Sequence, residues 1–173
     1  MSLETFLRHM KWANEEVFAR VSQLPDEALA SYIVNPEWTV GEIVQHITRA
    51  AYLYALRMSV DSPEKLDGYL KVRQAYLDNE KPLKTAQDVS RALVELQESD
   101  SKLIAESVKD DALVYVMRED GVQSILKSMI LAQSIHHATE HRAQLVDALD
   151  LKGFDSIHLD DYDLWQYNTF LNS

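Results

Sequence analysis

Three of the six histidines in the chain fall within the eight residues from Ser134 to His141. His137 and His141 are four positions apart, which on an α-helix separates them by roughly 40° around the axis and stacks them on one face. Two imidazole nitrogens so placed can reach a single metal ion. His136 stands about 100° from His137 and cannot share that face. The intervening Ala138-Thr139-Glu140 puts the acid directly before the second His, off the metal face. The zinc-protease pattern His-Glu-x-x-His, with its general-base Glu, is therefore not present. A third nitrogen has to come from another segment. His46 is the best placed, with Ile43, Ala50 and Leu53 at core-facing spacing around it. His9 is a weaker candidate, and His158 lies in the polar stretch before an aromatic tail. An i, i+4 His pair is more often solvated or hydrogen-bonded than metal-bound, and a single helical His is more often a satisfied core imidazole. On spacing alone both outcomes stay open.

The composition narrows the chemistry. The chain has no cysteine, which excludes disulfides, thiolate metal sites and a Cys nucleophile and leaves His, Asp and Glu as the ligands available to a metal. Three neutral imidazoles leave open coordination positions, whereas closed structural sites use four protein ligands. A metal held in that way lowers the pKa of a water or a thiol and supplies a nucleophile at neutral pH. Imidazole suits zinc, nickel, iron and copper alike.

Among the 173 residues, 17 Lys and Arg stand against 28 Asp and Glu, a formal charge of −11. With a pI near 4.9, the protein is expected to bind neither nucleic acid nor anionic membrane, both of which need a basic surface. Hydrophobic residues make up 46 %, enough for a core, and the length fits one domain over 1–173. The start, MSLETFLRHMKW, lacks the apolar run of a signal peptide, and no stretch approaches the roughly 18 apolar residues of a membrane span. The expected location is the cytoplasm.

The elements that must position the histidines follow from periodicity and punctuation. Phe6, Met10, Ala13, Val17 and Val21 recur at helical spacing over Leu3 to Leu24, and Pro25 closes that helix. One further turn is expected in Asp26 to Leu29. Thr39 and Glu42 form a capping-box pattern that opens a second helix, to about Val60. Ser62-Pro63-Glu64 can start another helix, but the piece to Asp78 carries Gly68 and many charges and reads equally as an excursion or loop. Thr85 to Asp88 repeats the cap pattern and begins a helix to Val108 along Val89, Leu93, Leu96, Leu103 and Ile104. Ala112 to Arg118 alternates, and with Asp120-Gly121 it predicts a short β-hairpin. The last long helix is expected from Ser124 to Leu151, with Gly153 at its end. The fold class is all-α: a four-helix bundle with a long connection between its second and third helices and a hairpin before the last.

Two segments carry a family resemblance. His137-x-x-x-His141-Arg142-x-Gln144 is similar to the His-x-x-x-His-Arg-Gly-Gln signature of the DinB-like (DinB/YfiT) superfamily, and Trp38-Thr39-Val40-Gly41-Glu42-Ile43-Val44-Gln45-His46 resembles its second-helix segment. Trp12-Ala13-Asn14, the hairpin and the aromatic tail agree in the same order. The resemblance implies a four-helix bundle holding a divalent metal, commonly zinc or nickel, on His46, His137 and His141. Ala143 departs from the family's usual Gly, which bears on helix packing more than on ligation. DinB-like relatives include thiol-dependent transferases and isomerases and others regarded as hydrolases. The implied function is thus a metal-dependent enzyme acting on a small molecule, with a low-molecular-weight thiol among its partners. Its rival is a non-enzymatic or stress-associated bundle whose metal is structural or vestigial. Gln144, three residues past His141, is placed to orient a ligand or water, and Asn14 to line the pocket; these two are the catalytic candidates. Glu140 and Arg142 flank the second His and suit surface or inter-helix ion pairs, while Trp12 and Trp38 suit the core. A homodimer through exposed helix faces is expected from family habit and the commonness of two-fold symmetry.

Overall fold

Ser2 caps α1 (Leu3–Val21) by accepting the Thr5 amide. The computed structural model describes residues 2–154 and 157–173. In α1 the buried residues Leu7, Met10, Ala13, Asn14, Val17, Phe18 and Val21 follow the three-and-four spacing of one helix face. A 3₁₀ turn at Asp26–Ala30 leads into α2 (Val40–Arg57). The Thr39 hydroxyl accepts the Glu42 amide at 3.3 Å, so one half of the expected box forms there. Both halves form at α4 (Ala86–Ser107), where Thr85 and Asp88 bond reciprocally at 3.2 and 2.9 Å.

The segment between α2 and α4, left open in the sequence, contains a helix: a 3₁₀ turn at Pro63–Lys65 and then α3 (Leu66–Asp78). Only Leu66 and Tyr69 of α3 are buried, in a small cluster with Val60. The hairpin pairs β1 (Leu113–Arg118) with β2 (Gly121–Leu126), Arg118 opposite Gly121. Val114 and Val116 point inward, and the Tyr115 N–H donates to the Val60 carbonyl at 2.9 Å. Because β2 claims Ser124 to Leu126, α5 (Lys127–Asp150) starts later than the expected Ser124. Pairing with β1 satisfies backbone groups that a helix N-terminus would leave open. At the other end, Gly153 adopts φ +82°. The Phe154 N–H reaches the Leu149 carbonyl and the Gly153 N–H the Asp150 carbonyl, the bond pair of a Schellman cap.

In the bundle, α1 and α2 each pack against both α4 and α5. One core cluster gathers Val17, Phe18, Ile43, Ile47, Leu96, Leu145 and Leu149, and a second gathers Leu7, Met10, Leu103, Ile130 and Leu131. Each such Leu, Ile or Phe contributes about 1.5–3 kcal/mol by leaving water. The aromatic tail forms α6 (Leu164–Leu171), capped by Asp163. Trp12 packs on Tyr162, Tyr167 and Phe170 at centroid distances of 6.0, 5.3 and 5.6 Å. Gly41 lies where an added Cβ would come within 2.5 Å of the Leu83 carbonyl oxygen, so the chain entering α4 runs hard against the first turn of α2. Among the described residues no helix is long and apolar enough to cross a membrane.

Candidate metal centre

The packing of α2 on α5 brings His46, His137 and His141 together. One ring nitrogen of each lies within 4.8 Å of the others. Ring centroids are 4.7 Å apart for His46 and His137, 4.6 Å for His46 and His141, and 4.4 Å for His137 and His141. The Nε2 atoms of His46 and His137 approach to 2.8 Å. Burial holds His46 and His137 down to about 4, helped by the nearby His141 and Arg49. At neutral pH both are therefore uncharged, the form in which imidazole ligates. Three converging imidazoles fit a divalent ion.

Side chains around the triad fix its rings. Gln144 Oε1 accepts from His141 Nδ1 at 2.9 Å and from the Trp38 indole N–H at 3.0 Å. Trp38 also packs edge-on against His46 and His141, at 5.1 and 5.6 Å. It borders the first core cluster, so it is both core and a wall of the site. On the opposite flank Arg49 donates to His46 Nδ1 at 2.9 Å and to Glu80 at 2.7 Å.

The other candidates take different places. Asn14 is buried among helices, donating to Asp100 at 2.8 Å and accepting from Arg142. It borders a small interior cavity that His137 also borders, and its hydrogen bonds run to Asp100 and Arg142 and not to the triad. Arg142 is 4 % exposed, so of its two expected roles the inter-helix one applies, through Asn14 rather than by a direct ion pair. His9 points away from the triad and donates to the Tyr162 carbonyl at 2.8 Å, pinning the tail. His136, Glu140 and His158 are exposed.

Sequence reasoning passed over Asp100, Arg49, Arg57, Tyr69 and Arg73. Asp100 sits between Leu96 and Leu103 at core spacing, a polar residue on an apolar stripe. Arg57 falls three helical turns after His46 on nearly the same face. Tyr69 and Arg73 share a face of α3, the segment whose fold the pattern left undecided. Neither a curated protein nor a solved structure matches this chain. The DinB family model, in contrast, matches residues 1–169, nearly the whole length. On that match, and with the histidines of its two quoted segments brought together in a helical bundle, the chain belongs to the DinB family.

Proposed function

We propose that the protein is a metal-dependent enzyme acting on a small molecule by transfer to a thiol or by hydrolysis, with zinc or nickel on His46, His137 and His141. The observation that carries this is the convergence of three imidazoles beside a cavity that His46 and His137 line. Three protein ligands are one fewer than a closed structural site takes. When bound, the metal supplies Lewis acidity toward a water or thiol. The chain's own residues do the rest: Gln144 and Trp38 hold the His141 ring, and Tyr54 packs edge-on to His137 at 5.8 Å. Gln144 is thus a positioning residue in this scheme, and Asn14 supports the bundle behind the site.

Metal analysis of protein purified without chelator tests the proposal. About one divalent ion per chain is expected, lost in His137→Ala while helicity stays. Metal-free wild-type protein, or a His137→Ala variant that retains its metal, would overturn it. The non-enzymatic rival predicts a melting temperature that collapses with chelator and no exchangeable ligand position.

We infer as well that the protein pairs as a homodimer through the hairpin's outer face. Leu113 faces Leu126 and Met117 faces Val122 across the two strands, and all four are exposed. Clustered apolar surface of this kind marks association sites. Light scattering at micromolar concentration decides it: a monomer rejects the pairing, and Val122→Lys should dissociate a dimer.

A further inference from the structure

A cavity of about 250 Å³ opens beside the triad, and His46, His137, Tyr54, Arg57, Tyr69 and Arg73 are among its walls. Among the described residues no Asp or Glu lines it, in a chain with 28 acidic residues. Its guanidinium groups are unequally matched. Arg49, on its edge, is neutralised by Glu80 at 2.7 Å. Arg57 lies 5.0 Å from the centroid of the Tyr69 ring and donates to the Tyr69 hydroxyl at 2.6 Å, and among the described residues its buried Nε has no hydrogen-bond partner. Among the described residues neither Arg57 nor Arg73 has a carboxylate within 4.0 Å, whereas Arg8 and Arg91 do.

We propose that Arg57 and Arg73 form an anion subsite that holds a carboxylate or phosphate of the substrate next to the histidines. The subsite stands on these contacts, and the word substrate rests on the function proposed above. A half-buried cation lacking a counter-charge draws an anion from solvent, more strongly where the walls have low dielectric. The guanidinium fork matches the two oxygens of a carboxylate or phosphate, and Arg73, which bonds to no other side chain among the described residues, has its donors free for them. The volume lies below the roughly 300 Å³ at which drug-sized pockets begin, so the cavity takes one anionic arm and not a large molecule. This also gives α3 a task. Tyr69 and Arg73, four residues apart on one face, are brought from outside the bundle to the mouth of the triad.

The test uses full-length protein as purified, its metal content measured on the same sample, titrated with inorganic phosphate and separately with succinate by calorimetry. Saturable binding of at least one is expected, and the stronger of the two identifies the anion class. Arg73→Gln and Arg57→Gln should each weaken it tenfold or more, the Lys variants should fall between, and Arg91→Gln should leave it unchanged. Arg73 is partly exposed and bonds to no other side chain among the described residues, so its variant should keep the fold even if Arg57→Gln does not. No saturable binding, or binding unchanged in Arg73→Gln, overturns the subsite. Metal present without anion binding defeats this inference alone. Anion binding without metal defeats the proposed enzyme and leaves the subsite standing.

Discussion

Gln144 Oε1 lies 2.9 Å from the Nδ1 of His141, one helical turn earlier on α5. The polarity of this bond is fixed from outside, because the same oxygen receives the indole N–H of Trp38 at 3.0 Å. Indole only donates, so the amide oxygen must face both rings and His141 must carry its proton on Nδ1. Its Nε2 lone pair is thereby left for a metal. Gln144→Ala should lower zinc affinity by about 10–100-fold, the usual cost of losing such an outer partner, with circular dichroism unchanged. Gln144→Glu, which still accepts the proton, should retain binding. Trp38→Phe should cost less than Gln144→Ala, since the Gln144 to His141 bond survives it. Competition against a chromophoric chelator measures all three, and wild-type affinity in Gln144→Ala would refute the role.

Arg49 stands at the far end of the His46 ring and acts in the opposite sense. A guanidinium has no lone pair to offer, so His46 Nδ1, 2.9 Å from Arg49, accepts. The ring proton then sits on Nε2, directed at His137. Ligation through Nε2 requires that proton on Nδ1, where Arg49 now points. Arg49 must therefore swing away, toward its partner Glu80, before His46 can bind. Arg49→Gln, whose amide oxygen can accept from Nδ1, should bind zinc several-fold more tightly than wild type. Weaker binding would show that Arg49 supports the ligand instead.

The fold was legible where one helix face or one cap carries the information. The stripe of α1, the Thr85 to Asp88 box and the Gly153 end all stand where spacing places them. The His137 and His141 pair and the nearby Gln144 were legible for the same reason, being local to one helix. What escaped is non-local. Trp38 meets Gln144 across 106 positions, and Asn14 meets Asp100 across 86, contacts that no period encodes. The start of α5 blurred because Ser124 to Leu126 is held by pairing with β1 and not by local preference. Helix α3 stayed ambiguous since only two of its residues are buried, too few to print a stripe.

Close approach of backbones at Gly41 yields a stability prediction. A methyl group there would meet the Leu83 carbonyl oxygen at 2.5 Å, and backbone cannot rotate aside as a side chain can. Gly41→Ala should destabilise the protein by about 1–3 kcal/mol, the range for overpacking, despite the better helix propensity of Ala. Urea midpoints compared with wild type provide the check. Since His46 lies five residues further along α2, any shift that relieves the clash should also weaken metal binding. An unchanged midpoint would mean that the chain at Leu83 yields freely.

Acid response is set by buried groups that pull in opposite directions. His46 and His137 are held at about 4 against an ordinary 6.5, chiefly by burial. Metal-free protein then binds fewer protons than the unfolded chain between those values. Their contribution is present above pH 6.5 and is lost as pH falls toward 4. Asp100 behaves conversely: burial raises it to about 7 from 3.8, against the lowering effects of Asn14 and Arg142. It keeps a proton that the unfolded chain releases, so its contribution is full below 3.8 and is lost as pH rises through 7. Two histidines outweigh one aspartate, and the metal-free protein should lose stability on acidification from pH 6.5 to 4. Asp100→Asn removes the opposing slope, because an amide does not titrate. Its urea midpoint should therefore fall more steeply than that of wild type over the same window, when both are measured in chelator at several pH values. Parallel slopes in the two proteins would show that Asp100 does not hold its proton in the folded state.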